Sequence, residues 1–139
     1  MSHALDEKAL TARFNPSWKA FGYADVTMLY DNSIVTKPAP ERFIRFAVRP
    51  SGEEDSALGD GRVRSENYGR IWIQVGFPKA FSAKANELAD KATAIFRRWR
   101  SGDGQLRCLE VERSTASDDS HHIVTVKISY NSVHYTTVA

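Results

Sequence analysis

Four histidines, one cysteine and two acidic runs are the residues whose types allow acid–base, nucleophilic or metal chemistry in this chain. His121 and His122 are neighbours in or beside an expected strand, so their side chains project to opposite faces and do not readily share one ion. Asp118-Asp119 beside them reads as a solvated turn, and His3 and His134 have no partner at ligand spacing, so no metal site is expected. The carboxylates of Glu53-Glu54-Asp55 and Asp118-Asp119 fall in expected loops, where no burial raises a carboxyl toward neutral pH. Cys108 lies in the strand-like Leu106-Arg107-Cys108-Leu109 and reads as a buried structural thiol. A Ser-His-Asp grouping meets only in three dimensions, but the chain has no nucleophile elbow, His-Glu-x-x-His, P-loop or dinucleotide fingerprint. Neither catalysis nor a cofactor is expected.

Charge narrows the partners. Nineteen Lys/Arg against 17 Asp/Glu leave a net charge of +2, too small to imply a nucleic acid by itself. The distribution is uneven. Residues 51–69 carry Glu53, Glu54, Asp55, Asp60 and Glu66 against Arg62 and Arg64, whereas residues 70–101 carry seven cations against Glu87 and Asp90. Such segregation fits patches that meet between copies of one subunit. A nucleic-acid reading also exists: Arg45, Arg49, Arg62, Arg64 and Arg70 can share a sheet face with Phe43, Tyr68 and Trp72, mixing cations and aromatics as RNA-binding sheets do. The acidic run and the lack of an RNP-like motif make a nucleic-acid partner the weaker expectation. The single cysteine suits a reducing compartment. The start MSHALDEK lacks the charge pattern of a signal peptide, and no apolar run is long enough to span a membrane.

The elements that must position these residues follow from periodicity. At 139 residues, 42% apolar and 26% charged, the chain is expected to form one domain, 1–139. Residues 1–25 read as an N-terminal helical segment: a helix over Ala4–Phe14 with Leu5, Ala9 and Leu10 inward, stopped or kinked at Pro16, then a short second piece ended by Gly22. Val26–Tyr30 can pair as a short strand, Asp31-Asn32-Ser33 is a turn, and Pro38 and Pro40 make the approach irregular. Arg42–Arg49 is a strand, and the acidic 51–61 a flexible loop. Arg62–Glu66 is a weak strand, Asn67-Tyr68-Gly69 a turn, and Arg70–Phe77 the strongest strand. Ser82 is expected as N-cap of a long helix carrying Ala85, Leu88, Ala89, Ala92, Ile95, Phe96 and Trp99 inward, with Arg97, Arg98 and Arg100 in its last turn and Gly102 as its stop. Leu106–Arg113 and His122–Tyr130 complete the order α-β-β-β-α-β-β, an α+β domain whose mostly antiparallel sheet has four to five strands.

Tyr30-Asp31-Asn32, Phe43-Ile44-Arg45, Gly69, Gln74-Val75, Phe77-Pro78, Ala85, Leu88-Ala89-Asp90 and Phe96, in that order, resemble the phage tail terminator proteins and the phage-related proteins grouped with them. One departure is the corner after Pro78, where that family often carries glycines and this chain has Lys79-Ala80-Phe81. The resemblance implies a non-enzymatic virion subunit, assembled in the bacterial cytoplasm, that closes as a ring, commonly a hexamer. The ring caps the tail tube, contacts the tube protein and meets the head-side connector. A neck or head-completion protein is the alternative from the same virion. Together with the charge segregation it marks Glu53, Glu54, Asp55, Asp60, Arg62, Arg64 and Arg70 as the expected subunit or tube interface.

Overall fold

Ile71, Ile73, Val75 and Phe77 do build the central strand, but that strand is far longer than its alternation suggests. The computed structural model describes residues 2–23, 25–30, 41–117 and 121–137. The chain runs α1 (Ser2–Ala20), β1 (Thr27–Tyr30), β2 (Phe43–Gly59), β3 (Arg62–Pro78), a 3₁₀ turn (Lys79–Phe81), α2 (Ser82–Phe96), β4 (Leu106–Ser117) and β5 (His121–Thr137). These strands form one sheet in the order β1-β2-β3-β5-β4, with β1 parallel to β2 and the other pairs antiparallel. The α+β class and the element order are as read from the sequence. The expected turn at Asp31-Asn32-Ser33, the run through Pro38 and Pro40, and Asp118-Asp119 lie outside the described residues.

Two connections expected between strands are themselves strand. Asn67-Tyr68-Gly69 lies inside β3, paired with Glu53, Gly52 and Pro50 on one side and with Ser132, Asn131 and Tyr130 on the other. Polar Asn67 and small Gly69 look like a turn but serve packing here: Asn67 is buried, and Gly69 leaves room for the Tyr130 ring. The 51–61 segment is not a loop either. The β2–β3 ladder continues to Gly59↔Arg62, and Asp60 (φ 55) and Gly61 (φ 72) form a two-residue turn of left-handed residues, the type I′ geometry that Asp-Gly favours. Acids are tolerated in this strand because residues 49–60 of it are exposed.

α1 and α2 cover the same face of the sheet. α1 is continuous through Pro16, against expectation. A proline inside a helix costs about 3 kcal/mol. Leu10, Phe14 and Trp18, spaced by four, are buried on one stripe and return roughly 1.5–3 kcal/mol each, which outweighs that cost. Asp6 occupies the next position up this stripe and is 2% exposed, while Leu5, expected inward, is 59% exposed. Phe14 stacks on Phe46 of β2 at 4.5 Å and on Phe96 of α2 at 6.1 Å.

α2 buries the expected Ala85, Leu88, Ala89, Ala92, Ile95 and Phe96. Its ends differ. Ser82 is already helical (φ −57°, ψ −36°) because the 3₁₀ turn feeds directly into the helix, so Ser82 is no cap. The helix stops at Phe96, before Arg97, Arg98, Arg100 and Gly102, with Arg98 left-handed at φ 54. The cation at its negative end comes from α1 instead: Arg13 donates to the Ile95 carbonyl through Nε at 3.2 Å and Nη2 at 3.1 Å.

Two cross-strand glycines seat aromatic rings on opposite faces, Gly69 under Tyr130 and Gly76 under Phe43. A methyl group at either would overlap the ring. Gly69→Ala is therefore expected to lower stability by about 1–3 kcal/mol, read as a lower urea midpoint. Gly52→Ala, where nothing lies within 4 Å of the added carbon, is expected to stay within about 0.5 kcal/mol of the parent; equal effects at both sites would refute this account.

Candidate assembly surface

With both helices on one side, no described helix covers the other face of the sheet, and strand alternation decides what stands on it. β3 presents Arg62, Arg64, Glu66, Tyr68, Arg70, Trp72 and Gln74 there, since Ser65, Asn67, Gly69, Ile71, Ile73 and Val75 are buried under the helices. Register adds Phe43, Arg45, Ala47 and Arg49 from β2, and Thr125, Lys127, Ser129 and Asn131 from β5. The sequence-based grouping of Arg45, Arg49, Arg62, Arg64 and Arg70 with Phe43, Tyr68 and Trp72 thus falls on one face.

Trp72 sits at the centre of this face. Lys127 lies 4.3 Å and Arg49 5.8 Å from its ring centroid, both within cation–π range. Beside it Arg45, Ala47, Arg49, Trp72 and Gln74 line a cavity of about 140 Å³. Arg45 Nε is buried there without a hydrogen-bond partner among the described residues. Lys127 was not singled out from the sequence, though the alternation of Val124, Val126 and Ile128 places it outward.

Further along, a polar chain crosses three strands. Arg64 Nη1 donates to Glu66 Oε2 at 3.2 Å, Asn131 Nδ2 donates to Glu66 Oε1 at 2.9 Å, and Arg107 Nε donates to Asn131 Oδ1 at 2.9 Å. The hydrogen bond from Asn131, then those from Arg64 and Tyr68, hold the Glu66 carboxyl below its ordinary value against the opposing effect of desolvation. Desolvation, with Glu54 and Glu66 nearby, raises the Tyr68 phenol.

The expected interface residues are only partly brought together. Arg62, Arg64 and Arg70 share the uncovered face. The acids do not form one patch, because pleating splits them. Glu54 pairs across from Glu66 on the uncovered side, while Glu53 and Asp55 oppose Asn67 and Ser65 on the helix side. There Glu53 Oε2 approaches His3 Nε2 of α1 at 3.9 Å. Asp60 is at the hairpin tip. The two sheet borders differ: β1 pairs only with Phe43–Phe46, so beyond it β2 has no strand partner on that side among the described residues, whereas β4 carries a bulge between Cys108 and Val111 with Glu110, Glu112 and Arg113 exposed along it.

One grouping on the helix side has the residue types of hydrolysis. Asp6 Oδ2 accepts from Ser132 Oγ at 2.5 Å and from Asn67 Nδ2 at 3.5 Å, and Asp6 Oδ1 lies 3.0 Å from His134 Nε2, itself 3.1 Å from Ser132 Oγ. A carboxylate only accepts, so the ring nitrogen facing it carries the hydrogen. In a triad the acid and the serine use opposite nitrogens of the imidazole; here both face the same one. Ser132 is also fully buried, so no substrate reaches it. The cluster gives a buried carboxylate hydrogen-bond partners and ties α1 to β3 and β5. Among the described residues no three His, Cys, Asp or Glu side chains gather as a metal site, and no helix is long and apolar enough to cross a membrane. His121 and His122 diverge as alternation requires, one ring beside Phe43 at 6.1 Å and the other 3.4 Å from Ser117 Oγ.

No protein-family model and no curated protein matches this chain. A solved structure whose name describes no activity superposes with a TM-score of 0.64 at 22% identity, covering 91% of this chain and 92% of that one. At that identity the likeness speaks for the fold alone.

Two measurements check the site chemistry. Glu66 ionises at lower pH folded than unfolded, so its stabilising contribution is complete above its ordinary value of 4.5 and fades as pH falls through the folded value. The stability gap between the parent and Glu66→Gln is expected to shrink from pH 7 to pH 3; a constant gap refutes it. Burial pushes the Cys108 thiol up to about 12, so a disulfide reagent at neutral pH is expected to label it only as the protein unfolds. Rapid labelling of the native protein would contradict that.

Proposed function

We propose that this chain is a structural subunit of a phage or prophage tail, a tail terminator that closes as a ring on the tail tube, stops its growth and meets the head-side connector. The reading rests on the resemblance of the strand-corner-helix core, Tyr68–Phe96, to that family. The observation that carries it is the one-sided sheet. Two helices bury one face, while the other presents an aromatic and cationic surface continuous with a long exposed hairpin arm. A subunit that joins its neighbours head to tail uses two different regions of its surface, and such contacts close into a ring when the rotation between neighbours closes. The chemistry is geometric: copies act when they meet around a cylinder.

Nucleic-acid binding is the second reading, favoured by the gathering of Arg45, Arg49, Arg62, Arg64 and Arg70 with Phe43, Tyr68 and Trp72 on one face. It requires affinity that falls steeply with salt.

Particles assembled without the protein are expected to carry overlong tails by electron microscopy. Normal tails left unjoined to heads would replace the terminator by a neck protein, and a steep salt-dependent titration with single-stranded RNA or DNA would favour the second reading.

A further inference from the structure

The hairpin tip offers an apolar side chain and a carboxylate and the Trp72 cavity an aromatic ring and arginines, yet the two cannot meet within one chain. From Arg45 to Gly59 the strand runs fourteen residues, about 45 Å at strand rise. The arm cannot fold back over that distance, because β2, β3 and β5 stay paired out to Gly59↔Arg62 and Arg62↔Thr137.

The tip carries two features that its own copy does not use. Leu58 is the extra residue at the register shift between Ala57 and Gly59, and it is 44% exposed. Asp60, two residues on, is exposed and makes no hydrogen bond or ion pair among the described residues. The cavity offers the counterparts: the Trp72 ring as an apolar wall, and Arg45, whose buried Nε has no acceptor and which pairs with no carboxylate among the described residues.

We propose that the hairpin tip of one copy seats in the Trp72 cavity of the next, Leu58 against the indole and the Asp60 carboxylate accepting from the Arg45 guanidinium. The occupant is a second copy of this chain, and the interface is head to tail, since the donated tip and the receiving cavity are different regions of the subunit. This rests on the assembly reading above and specifies its subunit contact.

Sedimentation of the full chain tests it. The parent is expected to self-associate, less so at high salt. Leu58→Ser with Asp60→Asn at the tip, and separately Arg45→Glu at the cavity, are each expected to weaken association at least about tenfold. An equimolar mixture of the tip variant and the cavity variant is expected to form heterodimers, because one intact tip then faces one intact cavity. A parent that stays monomeric at about 1 mM (a contact weaker than roughly 4 kcal/mol), tip variants that associate like the parent, or a mixture that does not pair would each overturn the contact. The tip positions are exposed, so their variants decide the matter even if Arg45→Glu does not fold. Tail length in particles lacking the protein is a separate readout: normal, head-joined tails would remove the terminator reading and leave this contact standing.

Discussion

Three phenyl rings hold this structure together. Phe14 of α1, Phe46 of β2 and Phe96 of α2 lie nearly parallel, with centroids 4.5 to 6.1 Å apart and interplanar angles of 6–16°. Each comes from a different element, so the stack fixes α1 to α2 and both to the sheet. It also dictates a sidedness. Phe46 faces the helices, so its neighbours Arg45 and Ala47 face away, and the same parity runs across the register to Gln74, Trp72 and Lys127. The cationic face, which no described helix covers, is the other half of the decision that buries the core.

How legible this was depended on which force shaped each segment. Where burial ruled, alternation sufficed: Ile71–Phe77, Val124–Tyr130 and Ala85–Phe96 are placed as their periodicity predicts. Local cues misled where tertiary packing overrode them. Pro16 reads as a stop, but Phe14 and Trp18, two residues on either side, are both anchored in the core. Asn67 and Gly69 read as a turn, but one fills a polar niche and the other makes room for a phenol ring. The acidic run obscured a stronger signal, Asp60-Gly61, whose left-handed pair closes a hairpin whatever the charges flanking it.

The candidate surface shows the same division. That five arginines and three aromatics share a face follows from counting by twos once Asn67-Tyr68-Gly69 is strand and the register to β2 is set. That Lys127, Asn131 and Arg107 belong with them requires knowing that β5 lies between β3 and β4, a non-sequential neighbour relation that periodicity does not carry. The acids give the converse lesson. Glu53, Glu54 and Asp55 look like one patch in the sequence, and a pleated strand divides them between two sides of the ribbon.

The buried carboxylate of Asp6 has a bearing on how the molecule comes into being. Its hydrogen-bonding companions on β5 lie 126 and 128 positions later in the chain. During synthesis the first helix therefore emerges long before two of the three side chains that hydrogen-bond its inward acid exist, with Asn67 the earliest of them to be made. A chain cut before Ser132 keeps the residues of the phenyl stack but leaves the Asp6 carboxylate with Asn67 alone of these three partners, an inward charge that penalises docking of α1 until the last strand is in place.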